Sequence, residues 1–368
     1  MGPRGSGKST WLRATFPAAY VIDLLAEETY QRLLAHPALF ADEVRAVPAQ
    51  RLIIVDEVQR LPNLLNEVHR LIETRKQRFV LCGSSARKLR RTGVNLLAGR
   101  ALQRAMHAFV PEELGDRFDL DEALRYGSLP IVWDSPDREE TLRAYGQLYL
   151  KEEVQAEALV RNLQGFARFL PLAGLFHGQT INSSTIAREA GVARTTVAGY
   201  LEILEQTLLC FRIGAYEAKL RVRERKLPKW YWCDPGLARV IKGARGPVLP
   251  EEKGALFEGL IAQLIRAYKD YRNLCDEFYY WGAAGASAAE VDFILVRNRE
   301  TIAIEVKSGN HFAPKWCRGL RAVSQLKGLR RSMVVYPKGP ALRTQEGIEV
   351  LAFRDFTELL ATDRLWEG

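Results

Sequence analysis

The chain has 368 residues, 47% of them hydrophobic, enough for two to four domains of about 100–150 residues each. No apolar run approaches the ~18 residues of a membrane span, and the five cysteines (Cys82, Cys210, Cys233, Cys275, Cys317) show no C-x-x-C pair, so a membrane partner and structural zinc are not expected and reduced thiols in the cytoplasm are. The net charge of +9 is uneven, at +8 over residues 1–110, −6 over 111–180, +6 over 181–250 and +1 over 251–368, a pattern suited to meeting nucleic acid through particular segments.

The first element is a glycine-rich loop, Gly2-Pro3-Arg4-Gly5-Ser6-Gly7-Lys8-Ser9-Thr10, which matches G-x-x-x-x-G-K-[ST]. Its glycines let backbone N–H groups curl around phosphate oxygens, Lys8 reaches the β- and γ-phosphates, and the Ser9 hydroxyl is placed for Mg²⁺. A helix from Thr10 onward would turn its positive end toward the nucleotide, so ATP with Mg²⁺ is the expected cofactor. Such a loop ordinarily hangs from a buried apolar strand. Met1 alone cannot supply one, so the reading frame is expected to begin upstream of Met1.

Tyr20–Leu24 reads as a short strand, followed by helix through Phe40. Leu52–Glu57 reads as a buried strand delivering Asp56 and Glu57 at its carboxyl edge: Asp56 to hold the metal through water, Glu57 to polarise the attacking water. Phe79–Cys82 is a third strand, ending in Gly83-Ser84-Ser85, where Ser84, with Ser85 next, takes a sensor role toward the γ-phosphate. Beyond it, Arg100 or Arg104 would act on the nucleotide of a neighbouring copy in a homo-oligomer; a basic helix face on solvent or nucleic acid is the competing reading.

The runs GPRGSGKST, IIVDEVQRLP, LCGSSARKL and LAGRA resemble the prokaryotic AAA+-type P-loop ATPases that carry a C-terminal DUF4143 region. The resemblance continues through YGSLP (126–130), YLKEEV (149–154) and RNLQGFARFL (161–170), and so covers nearly the whole chain. Members of that family have an apolar strand before the loop. What the resemblance implies is architecture more than biology.

The acidic stretch 111–180 has apolar residues at helical spacing (Leu142, Tyr145, Leu148, Tyr149) and reads as a helical lid, with Glu152, Glu153 and Arg161 as surface or interface charges. Residues 182–206 predict a helix-turn-helix: Ser184 caps the first helix, Gly191 breaks it, and Val197, Tyr200, Leu201 and Leu204 share one face of the second. Arg194, Thr195 and Thr196 open that second helix, where recognition helices touch DNA. Leu208–Ile213 then reads as a strand, and 219–229, with six Lys/Arg against one Glu, as a basic hairpin or wing.

In the last third, GALFEGLIAQLIRAY predicts an amphipathic helix with a stripe of Phe257, Leu260, Ile261, Leu264 and Ile265, and Glu258 turned toward the domain. Phe278–Trp281, an alanine-rich loop 282–289, and two strands joined by Asn298-Arg299-Glu300 follow. Strand alternation puts Glu305 and Lys307 on one face and Ile302, Ile304 and Val306 on the other, with Asp292 beside them on the paired strand. Glu258, Asp292 and Glu305 would hold Mg²⁺, and Lys307 would orient or deprotonate water. This arrangement resembles the PD-(D/E)xK nuclease superfamily, although Gly282 stands where a polar residue is more usual. His311, just past the motif, reads as a lone surface histidine.

The expected fold class is therefore α/β: a P-loop AAA+-type parallel sheet (1–115, its first strand missing), a helical lid (116–180), a winged helix-turn-helix (181–248) and a restriction-endonuclease-like domain (249–368). The expected function is ATP hydrolysis coupled to nucleic acid, DNA first, with Asp292, Glu305 and Lys307 in a Mg²⁺-dependent endonuclease site. The competing reading is an ATP-dependent DNA- or protein-binding regulator whose nuclease-like domain does not cut. A weaker one is an oligomeric ATPase whose basic surfaces meet RNA or protein.

Overall fold

The structure is a computed structural model that describes residues 1–84, 101–149, 163–220, 222–284 and 289–367. Ser85, Arg100, Glu152, Glu153 and Arg161 lie outside the described residues. The chain divides into two units, Met1–His107 with Leu204–Leu208, and Ala108–Ile203 with Leu209–Gly368. Each is taken by itself.

In the first unit the order is α1 (Lys8–Thr15), β1 (Tyr20–Asp23), α2 (Glu27–Ala35), α3 (Ala38–Arg45), β2 (Ile53–Asp56), α4 (Leu64–Arg75) and β3 (Phe79–Leu81). The strands form a parallel sheet in the order β1-β2-β3, with Ile54 opposite Val21 and Val80. Every residue of β2 is buried, as a central parallel strand covered on both faces requires. Ile53 and Val55 join Leu33, Phe40, Val44 and Val68 in one core, while Ile54 packs with Leu12 of α1 and Cys82 in another. Met1 pairs with a distant segment: its amine donates to the Arg104 carbonyl at 2.7 Å, and its own carbonyl accepts from Met106 N at 2.7 Å.

The second unit begins with short helices that meet at Asp234. This carboxylate is fully buried and accepts from Ser128 N at 2.7 Å and Leu237 N at 3.0 Å. Gly127 has φ 77°, and a Cβ there would overlap the Asp234 carboxylate, while one on Gly236 would overlap the Tyr126 carbonyl. The YGSLP and Asp234-Pro235-Gly236 segments therefore dock backbone to backbone.

The helices Ser183–Ala190 and Arg194–Gln206 are joined through Gly191 at φ 63°. The cap of the first is Asn182 rather than Ser184: its Oδ1 accepts from Ser184 N at 3.1 Å and Thr185 N at 3.2 Å. An Asx oxygen two residues earlier reaches both free N–H groups, which leaves Ser184 inside the helix. Tyr200 packs on Phe166 and Phe169 of the Leu163–Gly174 helix at 5.1 and 5.2 Å between ring centroids.

An antiparallel sheet follows in the order β4-β6-β5, from β4 (Gln179–Thr180), β5 (Cys210–Ile213) and β6 (Lys229–Trp232). The strand expected from Leu208 starts two residues later, because Leu208 takes a left-handed φ of 63°. The basic segment 219–229 is not a free hairpin. Its described part runs along the edge of the carboxyl-terminal sheet, where Arg225 N donates to the Gly282 carbonyl at 2.8 Å and the Arg223 carbonyl accepts from Ala284 N at 2.6 Å. An edge strand's exposed backbone groups recruit an extended segment this way.

The Pro250–Arg272 helix, longer than its apolar stripe predicts, precedes β7 (Glu277–Gly282), β8 (Glu290–Arg297), β9 (Glu300–Val306), β10 (Leu329–Tyr336), β11 (Leu342–Arg343) and β12 (Glu349–Ala352). The sheet order is β11-β12-β10-β9-β8-β7, with β7-β8-β9 an antiparallel meander and β10 parallel to both β9 and β12. Ile294, Ala303, Val334 and Tyr336 pack under Cys317 and Leu320. The five cysteines are buried, and none is in a disulfide. Among the described residues no helix is long and apolar enough to cross a membrane.

His177 links the β4-β6-β5 sheet to the Pro250–Arg272 helix. It is buried, its Nδ1 accepts from Trp232 N at 3.2 Å, and a Cβ on Gly259 would overlap its ring. Burial, and then the Lys242 charge, lowers its pKa from 6.5 to about 3. A depressed folded pKa means that the stability from neutral His177 is complete above 6.5 and is lost as pH falls toward 3. Melting temperature should therefore drop between about pH 7 and pH 4, and His177→Gln, which cannot take up the proton, should flatten that slope. Parallel slopes in the two proteins would refute the assignment.

Candidate functional site

The glycine-rich loop closes directly onto α1. Gly5 and Gly7 take φ 75° and 80°, which turns successive backbone N–H groups toward one concavity at the helix start. Gly2 is buried so tightly that a Cβ would overlap the Met106 carbonyl. Pro3 is also buried, Arg4 and Ser9 are half-buried, and Thr10 is exposed. The Lys8 ammonium donates to the carbonyls of Gly2 and Pro3 at 2.9 and 2.7 Å, so it is folded back over the loop it would serve. Ser6 Oγ is buried in the same turn without a hydrogen-bond partner. An inward-facing orphan hydroxyl, a buried ammonium and left-handed glycines fit a polyphosphate.

At the end of β2, Asp56 is 2% exposed and its Oδ1 accepts from Glu57 N at 3.1 Å. Glu57 sits in the left-handed region at φ 54°, ψ 41°, a strained conformation for a residue with a Cβ, at about 1 kcal/mol or more. Its side chain is held by one that sequence reasoning missed. Gln59 Nε2 donates to the Glu57 carboxylate and, at 3.1 Å, to Ser84 Oγ. Gln59 is buried and bridges the tips of β2 and β3. The sequence signal for it is slight, a Gln-Arg pair between apolar residues in VQRLP. Arg104 is exposed, and its carbonyl is the acceptor for Met1.

The helix pair presents its expected face: Arg194 and Thr195 are exposed and Thr196 is half-buried, while Val197 and Tyr200 are buried.

The carboxyl-terminal acidic residues gather around a lysine. The pairing of Phe293 with Ile304 brings Asp292 to the level of Glu305, and Asp292 Oδ2 accepts from Val306 N at 2.8 Å. Glu258 arrives from the Pro250–Arg272 helix and Glu290 from the start of β8. Among them lies Lys229, 5% exposed, which pairs with Glu258 at 2.9 Å, with Glu290, and with Asp292 at 3.6 Å. Tyr231, two residues along β6 and so on the same face, donates to the same Glu258 oxygen at 2.5 Å. Lys307 donates to Glu305 Oε1, whereas Glu305 Oε2 is buried without a partner. A Cβ on Gly319 would overlap the Glu290 carbonyl and lie 3.3 Å from Glu305 Oε2, so a helix closes over that carboxylate.

Burial, and then the charge of Asp292, raises Glu258 to about 7 and Glu305 to about 9, outweighing the lysines beside them. Burial pulls Lys229 down, but the Glu258 carboxylate and its neighbours more than reverse this and hold it well above the usual lysine value. Lys229 and Glu290 escaped sequence reasoning. Lys229 falls within the segment read as a basic hairpin or wing, although a charged residue opening an otherwise aromatic strand, Lys229-Trp230-Tyr231-Trp232, is the available clue. His311 is exposed.

The triad expected to hold Mg²⁺ does not fit a metal. Among the described residues no three His, Cys, Asp or Glu side chains are placed to bind one, and the Lys229 ammonium takes the oxygens that would do so. Mg²⁺ demands near-octahedral oxygen ligation and keeps several waters, for which a buried ammonium leaves no place.

Residues 1–115 match the family model of an AAA domain, 117–247 that of a domain of unknown function (DUF8612), and 253–356 that of a domain of unknown function (DUF4143). Two uncharacterized proteins, of Mycobacterium bovis and Mycobacterium tuberculosis, are each 25% identical over 345 residues, spanning 91% of this chain and 75% of their own length. Among solved structures, a Walker-type ATPase of Pyrococcus abyssi is similar at 15% identity and a TM-score of 0.43, over 66% of this chain and 89% of its own.

The Gln59 bridge is tested through Gly83, where a Cβ would overlap Gln59 Oε1. Gly83→Ala should cost about 1–3 kcal/mol in chemical denaturation. In a Gln59→Ala background the cost should shrink, since the obstructing amide is gone. Equal costs in both backgrounds would show that Gln59 is not the obstacle.

Proposed function

Since the chain joins an amino-terminal AAA-type P-loop ATPase domain to a carboxyl-terminal DUF4143 domain, we propose that it is an ATP-hydrolysing switch that binds nucleic acid, DNA first. The observation that carries the nucleotide half is the Gly2–Thr10 turn opening α1 with buried Lys8, and Asp56 and Glu57 at the end of β2. Bound Mg²⁺–ATP supplies the reactive phosphoryl group and its counter-charge. Lys8 leaves the carbonyls of Gly2 and Pro3 for the phosphates, Ser9 and Asp56 hold the metal, and Ser84 meets the terminal phosphate. Glu57 orients the attacking water once Gln59 presents it.

The nucleic-acid half rests on the exposed Arg194 and Thr195 at the start of the second helix and on the surrounding positive charge. The two-helix segment with its small antiparallel sheet is read as a winged helix whose basic strand has been recruited to the neighbouring sheet. The DUF4143 domain is read as nuclease-like in fold. Cleavage by Asp292, Glu305 and Lys307 is the less supported use of it, because Lys229 lies among the carboxylates. A docking role is favoured. Self-association, with Arg104 or Arg100 reaching a neighbour's nucleotide, belongs to the same proposal.

Calorimetric titration with ATP should show Lys8→Ala losing binding, and Glu57→Gln should keep binding while turnover falls by about 10²-fold or more. Unchanged affinity in Lys8→Ala would sink the nucleotide assignment. For DNA, Arg194→Ala should weaken binding to duplexes of any sequence and reduce the slope of log affinity against log salt by about 1. A slope equal to that of the parent protein would remove this helix from the interface.

A further inference from the structure

The carboxyl-terminal cluster carries its own cation. Lys229 enters from the first position of β6, passes its ammonium within 5.3 Å of the centroid of the Tyr280 ring, and ends between acidic groups from two other elements. Glu258 comes from the long helix, and Glu290 and Asp292 are alternate residues of β8, so they share a side of that strand. Those carboxylates, gathered without a counter-charge, would repel one another strongly in a poorly solvated site. The ammonium donates to Glu258 at 2.9 Å and ion-pairs with Glu290, while Asp292 at 3.6 Å adds its charge without a hydrogen bond. Tyr231 pins the Glu258 oxygen that Lys229 also uses, fixing the carboxylate toward the lysine.

We propose that Lys229 is the resident cation of the DUF4143 site, occupying the position where a divalent metal would otherwise draw Glu258, Glu290 and Asp292 together, and so tying β6 to the carboxyl-terminal sheet. The inference rests on the non-cleaving reading of that domain. A divalent ion bound to the same oxygens at about 2.0–2.6 Å would lie within a few ångströms of the ammonium, and the two cations exclude each other. Metal entry therefore requires withdrawing Lys229, which means detaching the start of β6. The site exchanges a diffusible cofactor for a strand-to-sheet lock.

The test uses the full chain without nucleotide, Mn²⁺ as the probe, and calorimetry with thermal unfolding in Mn²⁺ and in EDTA. Lys229→Met keeps the length of the stem and removes the charge. It should bind one more Mn²⁺ than the parent protein, or bind it at least about tenfold tighter, and adding Asp292→Asn should abolish the gain. Its melting temperature should rise in Mn²⁺ and fall back in EDTA, while the parent protein responds to neither. Should Lys229→Met be unfolded in EDTA, Mn²⁺ must restore its circular dichroism. A folded Lys229→Met with no gain in Mn²⁺, or an unfolded one that Mn²⁺ fails to rescue, overturns the inference and leaves the non-cleaving reading standing. Mn²⁺-dependent plasmid cutting by the parent protein that Asp292→Asn abolishes would end both.

Discussion

Lys229 is buried among carboxylates that offset its charge, and this requirement ties together the elements that supply them in the second unit. Moving an ammonium out of water costs several kcal/mol, and mutual attraction returns that only with close, directed partners. Lys229 finds them on the long helix and on β8, so three elements distant in sequence must arrive at one point. Removing a single member of such a set leaves an uncompensated charge at about 3–5 kcal/mol, far more than the set contributes relative to a well-packed apolar substitute. The cluster therefore acts more on the specificity of assembly than on net stability. It fixes which strand stands against which helix.

The first unit is organised by a different constraint, the need to bring backbone N–H groups and acidic side chains to one edge of a parallel sheet. Left-handed glycines at positions 5 and 7 let the loop turn into α1, and a fully buried β2 delivers Asp56. Half-buried Glu57 has a strained backbone, held by hydrogen bonds that run from Asp56 through Glu57 to Gln59 and Ser84. Strain kept in place by a buried amide is a way of storing one conformation until a ligand competes for Ser84. Gln59 thereby links the strand tip that carries the acid to the one that carries Ser84.

Much of this was legible because it is local. Apolar runs ending in acids or glycine gave β1, β2 and β3, and periodicity gave the Pro250–Arg272 helix and the β8–β9 hairpin, whose turn sits at Asn298 with φ 58°. Capping was misassigned by two residues because Asn182 and Ser184 are both good caps and only the backbone chooses between them. The basic stretch 219–229 reads in sequence as one basic hairpin or wing because composition treats its residues alike. The fold separates them: Arg225 pairs with Glu290 at the rim at 2.5 Å, while Lys229, four residues on, is buried. Gln59, Glu290 and Lys229 act through partners that one-dimensional patterns do not pair.

That separation explains why an E-x-K motif beside a paired aspartate is weak evidence for a metal. Strand alternation guarantees that Glu305 and Lys307 share a face, and hairpin register guarantees that Asp292 lies near them, whatever cation completes the site. The chemistry is decided one shell outward, by what else is delivered into the acidic pocket. An open pocket with waters admits a divalent ion. A lysine anchored at the start of an aromatic strand, with a tyrosine holding its partner carboxylate, supplies the same positive charge with fixed direction and no exchange. The identity of residue 229, rather than the motif itself, therefore decides which cation these carboxylates meet.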